Sequence, residues 1–390
     1  MHLIRAGFDG LDISYPLTIG PEVAEKLENA RRIAELEKHD SQIIHNGVRM
    51  LVAGSGAPGG YAFRCDSGYR GPDGEIWFFK RPGSLSDPWG IRVSCRAYGL
   101  ATRGLAATRA KIEERLQKLG LEYVPGTESI GRVDVACDIV DPVFVLDRSH
   151  IVAPGQSRVM EISDSEVRVV GRSGRVESVT IGKNPNRQII LYDKRAEVCA
   201  KLSHYWWPIW DEFLTQKGLP TLDMRTRAKS AVWRIEVRAY KRHLSDKWEV
   251  RTWSDLHAKL PDIVHTAMCD IRLTVPQADS NRARWPDHPM WLMAYEALTQ
   301  DLSDLHIPFD AEVYKEVNLE RRDKMLARQI NGAILSRAAL NGIGDDRLRA
   351  YVQRCANEVS RELWFMTDET KARIARARSK YAGVLLEQDA

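Results

Sequence analysis

The sequence predicts an α+β fold: an antiparallel sheet with helices on one side, built from a unit that looks duplicated, followed by a helical C-terminal domain. Three observations predict it. The N-terminal third holds short β-branched or aromatic runs separated by Gly/Pro clusters. A strand–helix–strand order then occurs twice, the pattern of a repeated α+β unit. Beyond residue 250 the apolar periodicity turns from two to about 3.6. At 390 residues the chain suits two or three domains of about 150 residues, and the divide is placed between a catalytic part, 1–250, and a basic helical part, 251–390.

In order along the chain, GVRMLVAG, GYAFRCD, EIWFFK and GIRVSCRAYG read as strands of hairpins, with GSGAPGG and RGPDGE as turns. A helix over about 105–119 has Leu105, Ile112, Leu116 and Leu119 on one stripe and Gly120 just past its end. GRVDVACDIVD is the next strand. Residues 158–170 and 175–182 read as a meander, and KNPN turns the chain into RQIILYDK. Residues 195–217 carry apolar side chains at helical spacing, and Pro208 kinks or splits that helix. AVWRIEVRAYK is a strand, and helices follow near 253–268, 287–302, 309–330, 345–364 and 367–384.

Composition excludes several classes. Hydrophobic content of 44% and charged content of 28% are those of a soluble globular chain. No run approaches the roughly 20 apolar residues of a membrane helix, and MHLIRAGFDGLDISYP lacks the layout of a secretory signal, so a cytoplasmic protein without a membrane partner is expected. Six cysteines lie far apart with no CxxC pair, against both a disulfide framework and a zinc module. The histidines show neither HxH nor HExxH spacing, so any metal must be held by carboxylates. The net charge of +4 is unevenly placed, with 14 Lys/Arg against 7 Asp/Glu over 321–381. Such a tail suits a polyanion or a solvated helix face.

Alternation along strands sorts the chemistry. In GRVDVACDIVD, Val133, Val135, Cys137 and Ile139 share one face and Arg132, Asp134, Ala136 and Asp138 the other. In AVWRIEVRAYK, Trp233, Ile235 and Val237 oppose Arg234, Glu236 and Arg238. In RQIILYDK, Ile189 and Leu191 oppose Gln188, Ile190, Tyr192 and Lys194. Each strand alone is consistent with a one-sided sheet whose wet face holds ion pairs worth tenths of a kcal/mol. Together they assemble the ingredients of metal-assisted phosphoryl transfer. Asp134, Asp138 and Glu236 are hard ligands for Mg²⁺ or Mn²⁺. Tyr192 is a nucleophile that needs positive charge, because a free phenol ionises near pH 10, and Lys194 supplies it. Glu197 suits either a helix N-terminus or catalysis. Arg132, Arg187, Arg234 and Arg238 are candidate DNA-phosphate contacts. Trp206, Trp207 and Trp210, at helical spacing, read as core.

These stretches resemble the trans-acting replication initiators of rolling-circle plasmids, with the related initiation factors of filamentous phages and the relaxases of integrative conjugative elements. The resemblance covers about 90–270. It rests on GRVDVACDIVD, on SVTIGKNPNRQIILYDKRAE with its strand ending in Tyr-Asp-Lys, on VWRIEVRAYK with its R-x-E, and on WEVRTWSDLHAKLPDI. It implies that Tyr192 is the nicking residue, that acidic residues of the flanking strands serve a divalent metal, and that the His-hydrophobic-His triplet of other rolling-circle nickases is missing, as it is here. It implies nicking and rejoining of one strand at a replication or transfer origin through a covalent phosphotyrosine. The implied partners are single-stranded or locally melted DNA, a helicase and a second copy of the chain. The long basic C-terminal part and the 141–180 segment depart from the pattern. A non-catalytic DNA-binding regulator and a metal nuclease that activates water are the alternative readings.

Overall fold

The structure is a computed structural model that describes residues 1–69, 71, 73–83, 87–153, 167–172, 174–223, 225–300, 302, 311–365 and 367–385. The chain divides into two compact units, Met1–Gly68 with Pro72–Phe309, and Asp310–Ala390 with Tyr69–Gly71.

The first unit is α+β. Its elements are β1 (His2–Tyr15), α1 (Pro21–Glu37), β2 (Ser41–His45), β3 (Val48–Val52), β4 (Phe63–Asp66), β5 (Glu75–Phe79), β6 (Ile91–Cys95), α2 (Ala97–Lys118), β7 (Ser129–Val140), β8 (Ile151–Val152), β9 (Val167–Arg172), β10 (Arg175–Gly182), β11 (Arg187–Asp193), α3 (Lys194–Lys201), α4 (Trp206–Gln216), α5 (Arg227–Ser230), β12 (Val232–Tyr240), α6 (Trp253–Asp270), β13 (Arg272–Leu273) and α7 (Pro289–Leu298). Among the described residues eleven strands form one antiparallel sheet in the order β2-β3-β4-β5-β6-β1-β7-β12-β11-β10-β9. Most of the segment expected as the first strand of the meander, 158–166, lies outside the described residues.

That order shows a duplicated layout. In each half the first strand, β1 or β7, lies at the centre. The last strand, β6 or β12, lies beside it, and the earlier strands extend to the edge. The halves meet where β1 and β7 pair antiparallel. The repeat therefore runs β1 to α2 and β7 to α6, not strand–helix–strand.

Alternation buries one face of the sheet: Val133, Val135, Cys137, Ile139, Trp233, Ile235, Val237, Ile189 and Leu191 join a single core with apolar residues of α1, α2, α6 and α7. This sets the domain boundary. Leu256, Leu260, Ile263, Val264 and Met268 of α6 are in that core, each worth about 1.5–3 kcal/mol of burial, so the divide expected at 250 falls instead between 309 and 310.

On the opposite face α4 packs over Arg5 of β1, Asp138 of β7 and Arg234 of β12. The helix expected over 195–217 is split at Leu202, whose left-handed φ of 54° ends α3. Pro208 then sits in the first turn of α4, where a missing N–H loses no helical hydrogen bond.

The second unit contains α8 (Ala311–Leu340), α9 (Asp345–Trp364) and α10 (Asp368–Leu385). Gly342, at φ 63°, turns α8 into α9, and Ala338, Tyr351 and Cys355 form a small core with Ile343 and Leu348. Among the described residues no helix is long and apolar enough to cross a membrane.

Candidate active site

Register aligns the charged side chains into rows across the strands. Tyr192, Arg234, Asp138 and Arg5 form one row, and Ile190, Glu236, Ala136 and Gly7 the next. Gln188, Arg238, Asp134 and Gly10 form the third. The small residues Ala136, Gly7 and Gly10 leave room beside longer neighbours. A Cβ on Gly10 would lie 2.7 Å from Asp134 Oδ2. The result is a cavity of about 390 Å³ whose lining includes Tyr192, Lys194, Asp134, Glu236, Arg132, Arg238, Glu197, Asp9 and Asp12.

Tyr192 is the penultimate residue of β11, half-buried. Lys194 is the first residue of α3 rather than a strand residue, yet its Nζ lies 3.5 Å from Tyr192 Oη. Glu197, one helical turn on, accepts from Lys194 at 2.5 Å and from Lys201 at 2.7 Å, so it holds the ammonium beside the phenol. Asp193 faces the other way: it caps α3 through Ala196 N–H and pairs with Arg227. Burial, then the Glu236 carboxylate, push the Tyr192 phenol well above its usual pKa, against Arg234. Burial and then Arg234 push Lys194 below its usual value.

Two expected roles are corrected in the first row. Arg234 is fully buried and donates to Asp138 through Nε at 2.5 Å and NH2 at 2.7 Å, and to Asp9 through NH1 at 2.7 Å. Trp210 Nε1 donates to Asp138 Oδ2 at 2.9 Å, and the Trp206 ring packs on Arg234 and Arg5 at 4.4 and 4.8 Å. Both Asp138 oxygens are thus engaged and Asp138 does not line the cavity, so it is an anchor rather than a metal ligand. Arg234 has no free edge for a DNA phosphate. Burial works to raise the Asp138 pKa, but Arg234, Arg5 and Lys194 together hold it below its usual value. Arg187 is corrected too. As an odd-numbered residue of β11 it lies on the face opposite Tyr192, and it pairs with Asp270 of α6 at 3.0 Å.

Asp134 and Glu236 remain in the cavity, each with an arginine. Arg132 forks onto Asp134, one arm at 2.9 Å, and Arg238 donates to Glu236 Oε1 at 2.7 Å. Burial lifts the Asp134 carboxyl to about 7 and Glu236 adds to the rise, against Arg132 and Arg238. Glu236 Oε2 is buried with no hydrogen-bond partner. Among the described residues no three His, Cys, Asp or Glu side chains are grouped to hold a metal. A site of protein ligands alone does not fit. Two carboxylates with one unpartnered oxygen do fit Mg²⁺, which completes its shell with water and substrate phosphate.

Sequence reasoning missed β1, which supplies Asp9 and Asp12. The signal is present in Leu11, Ile13 and Tyr15 alternating with Asp12 and Ser14. Register shifts after Leu3, Phe8 and Asp12 break the alternation upstream. Tyr205, also in the lining, has its phenol pushed up to about 12 by burial, then by Asp9.

No protein-family model matches the sequence, and no curated protein sequence matches it. Among solved structures the chain is similar to the rolling circle replication initiator protein from Geobacillus stearothermophilus, with 16% identity and a TM-score of 0.39, over 76% of this chain and 98% of that one.

Proposed function

We propose that this chain nicks one strand of DNA by attack of Tyr192 on a backbone phosphate and later rejoins it. The observation that supports it is the presence in one cavity of a phenol, an ammonium within 3.5 Å of it, and the Asp134 and Glu236 carboxylates. Tyr192 Oη forms a bond to phosphorus as the bond from phosphorus to a sugar oxygen breaks; the phenol proton passes to Glu236, the acid whose charge acts most strongly on that phenol, and the leaving oxygen takes a proton from solvent to become a hydroxyl. Because the phenol is held protonated, it requires that base. Lys194 stabilises the phenolate as it forms, and Arg132 and Arg238 face the non-bridging oxygens. Asp134 would hold Mg²⁺ or Mn²⁺ beside Glu236, with water and substrate phosphate completing the shell, and the ion would supply charge neutralisation on the phosphate. The phosphotyrosine conserves the phosphodiester bond energy, so reversal by a free hydroxyl rejoins the strand without another energy source. By the motifs around Tyr192, the biological setting is an origin of replication or transfer in a mobile genetic element.

A randomised pool of single-stranded oligonucleotides, incubated with Mg²⁺ or Mn²⁺ and run on a denaturing gel, tests this. The wild type should give a covalent protein–DNA band. Tyr192→Phe should lower its yield more than about 10³-fold with DNA affinity within about twofold. Retained cleavage in that variant removes Tyr192 from the mechanism. The near-neutral Asp134 carboxyl favours one second reading, hydrolysis by an activated water, which gives cleavage without the band.

A further inference from the structure

We infer that the open face of the first half-sheet is a track that carries single-stranded DNA away from the cavity, with Arg92 as its first station. This rests on reading the Tyr192 cavity as a DNA-cleaving site.

The two halves of the sheet differ on this face. Over the second half α4 packs on Asp138 and Arg234. Over the first half, α1 and α2 pack on the core side, and among the described residues of the first unit no helix covers Arg49, Arg64, Arg92 or Ser94, which are exposed or half-buried. The uncovered face is continuous with the cavity, since Ser94, Cys95 and Arg96 line it. Arg92 precedes Ser94 by two residues on the same face, about 7 Å along the strand. Arg64, Phe78, Arg92 and Ser14 are aligned across β4, β5, β6 and β1, which puts Arg64 two strands, about 10 Å, beyond Arg92.

Arg92 is prepared for a ligand that the chain itself does not supply. Its guanidinium lies 4.1 Å from the centre of the Phe78 ring and 4.9 Å from that of Tyr61. Its Nε is buried with no hydrogen-bond partner, and among the described residues no carboxylate pairs with it. By contrast, Arg132 and Arg238 in the cavity each hold an acid. Gly59 and Gly60, at φ 90° and 79°, turn the loop that lays Tyr61 on Arg92. A guanidinium held against two aromatic rings and lacking an anion suits a phosphate on its edge or a base on its face. Arg238, Arg132, Arg92 and Arg64 then form a line of cations from the cavity toward the β2 edge of the sheet, which suits a flexible polyanion.

The test uses the full chain in a Tyr192→Phe background, so that nothing is cut, and measures fluorescence anisotropy with an oligo-dT length series at several salt concentrations. Affinity should rise with length until the track is filled. Arg92→Gln should weaken binding of the longer oligonucleotides about tenfold and reduce the salt slope by about 0.7, leaving the shortest unchanged. Arg64→Gln, at an exposed site, should reduce the slope similarly with an unchanged melting temperature. Equal affinity and slope in both variants, or no binding by the parent, overturns the track. Covalent adduct from the Tyr192 protein with Arg92→Gln binding normally overturns the track and keeps the nickase. Arg92-dependent binding without any adduct does the reverse.

Discussion

Tyr192 has to lose a proton that its surroundings hold tightly, and Glu236, the acid whose charge acts most strongly on that phenol, is the group placed to take it. With its carboxyl lifted to about 7 by burial in the metal-free chain, Asp134 would hold a metal ion only once ionised, so metal-dependent nicking should rise as pH passes through about 7, and Asp134→Asn should flatten that limb. Stability runs the other way. Asp134 binds its proton more tightly folded than unfolded, so its contribution is full below about pH 4 and is lost as pH rises through about 7. Urea midpoints should fall over that window in the wild type and fall less in Asp134→Asn. The arginines separate by partner. Arg234→Met leaves Asp138 and Asp9 buried without their guanidinium and should cost about 3–5 kcal/mol, whereas Arg238→Gln, at the cavity wall, should weaken DNA binding with a smaller loss of stability. Alternation was enough to assign Tyr192, Asp134 and Glu236 to one face. It could not tell Arg234 from Arg238, because burial under α4 depends on a helix remote in sequence from β7, and on Trp210 reaching Asp138 across 72 positions.

The break between α3 and α4 brings Lys194 and Trp206 into contact with one site. Leu202 occupies it with a left-handed φ and an exposed side chain, a conformation that costs a non-glycine residue about 1–2 kcal/mol. Leu202→Gly should therefore raise stability by about 1 kcal/mol, and a lower urea midpoint would show that its side chain packs. Apolar periodicity and Pro208 made the two helices legible, and the turn type followed only from the coordinates. β1 was illegible for a different reason. Its register shifts against β7 disrupt the two-residue period on which strand reading depends, although it is the strand that joins the halves.

The two units make a prediction about truncation. A chain ending at residue 309 keeps α6 and α7 in the core and should fold with a cooperative melt. A chain ending at 250 loses burial comparable with a domain's whole stability and should not. Removing the basic helices should also flatten the salt dependence of DNA binding, and an unchanged slope would assign them to packing or self-association. The fold class was readable because it depends on local pattern, whereas the unit of the repeat was not, since pairing between β1 and β7 is remote in sequence. The boundary was not, since helical periodicity does not say whether a helix covers a sheet or stands in a unit of its own. The most direct measurement is mass spectrometry of trypsin- and nuclease-treated protein after reaction with single-stranded DNA. Residual nucleotide mass should appear on the peptide 188–194, at Tyr192; cut DNA with that peptide unmodified would contradict the account.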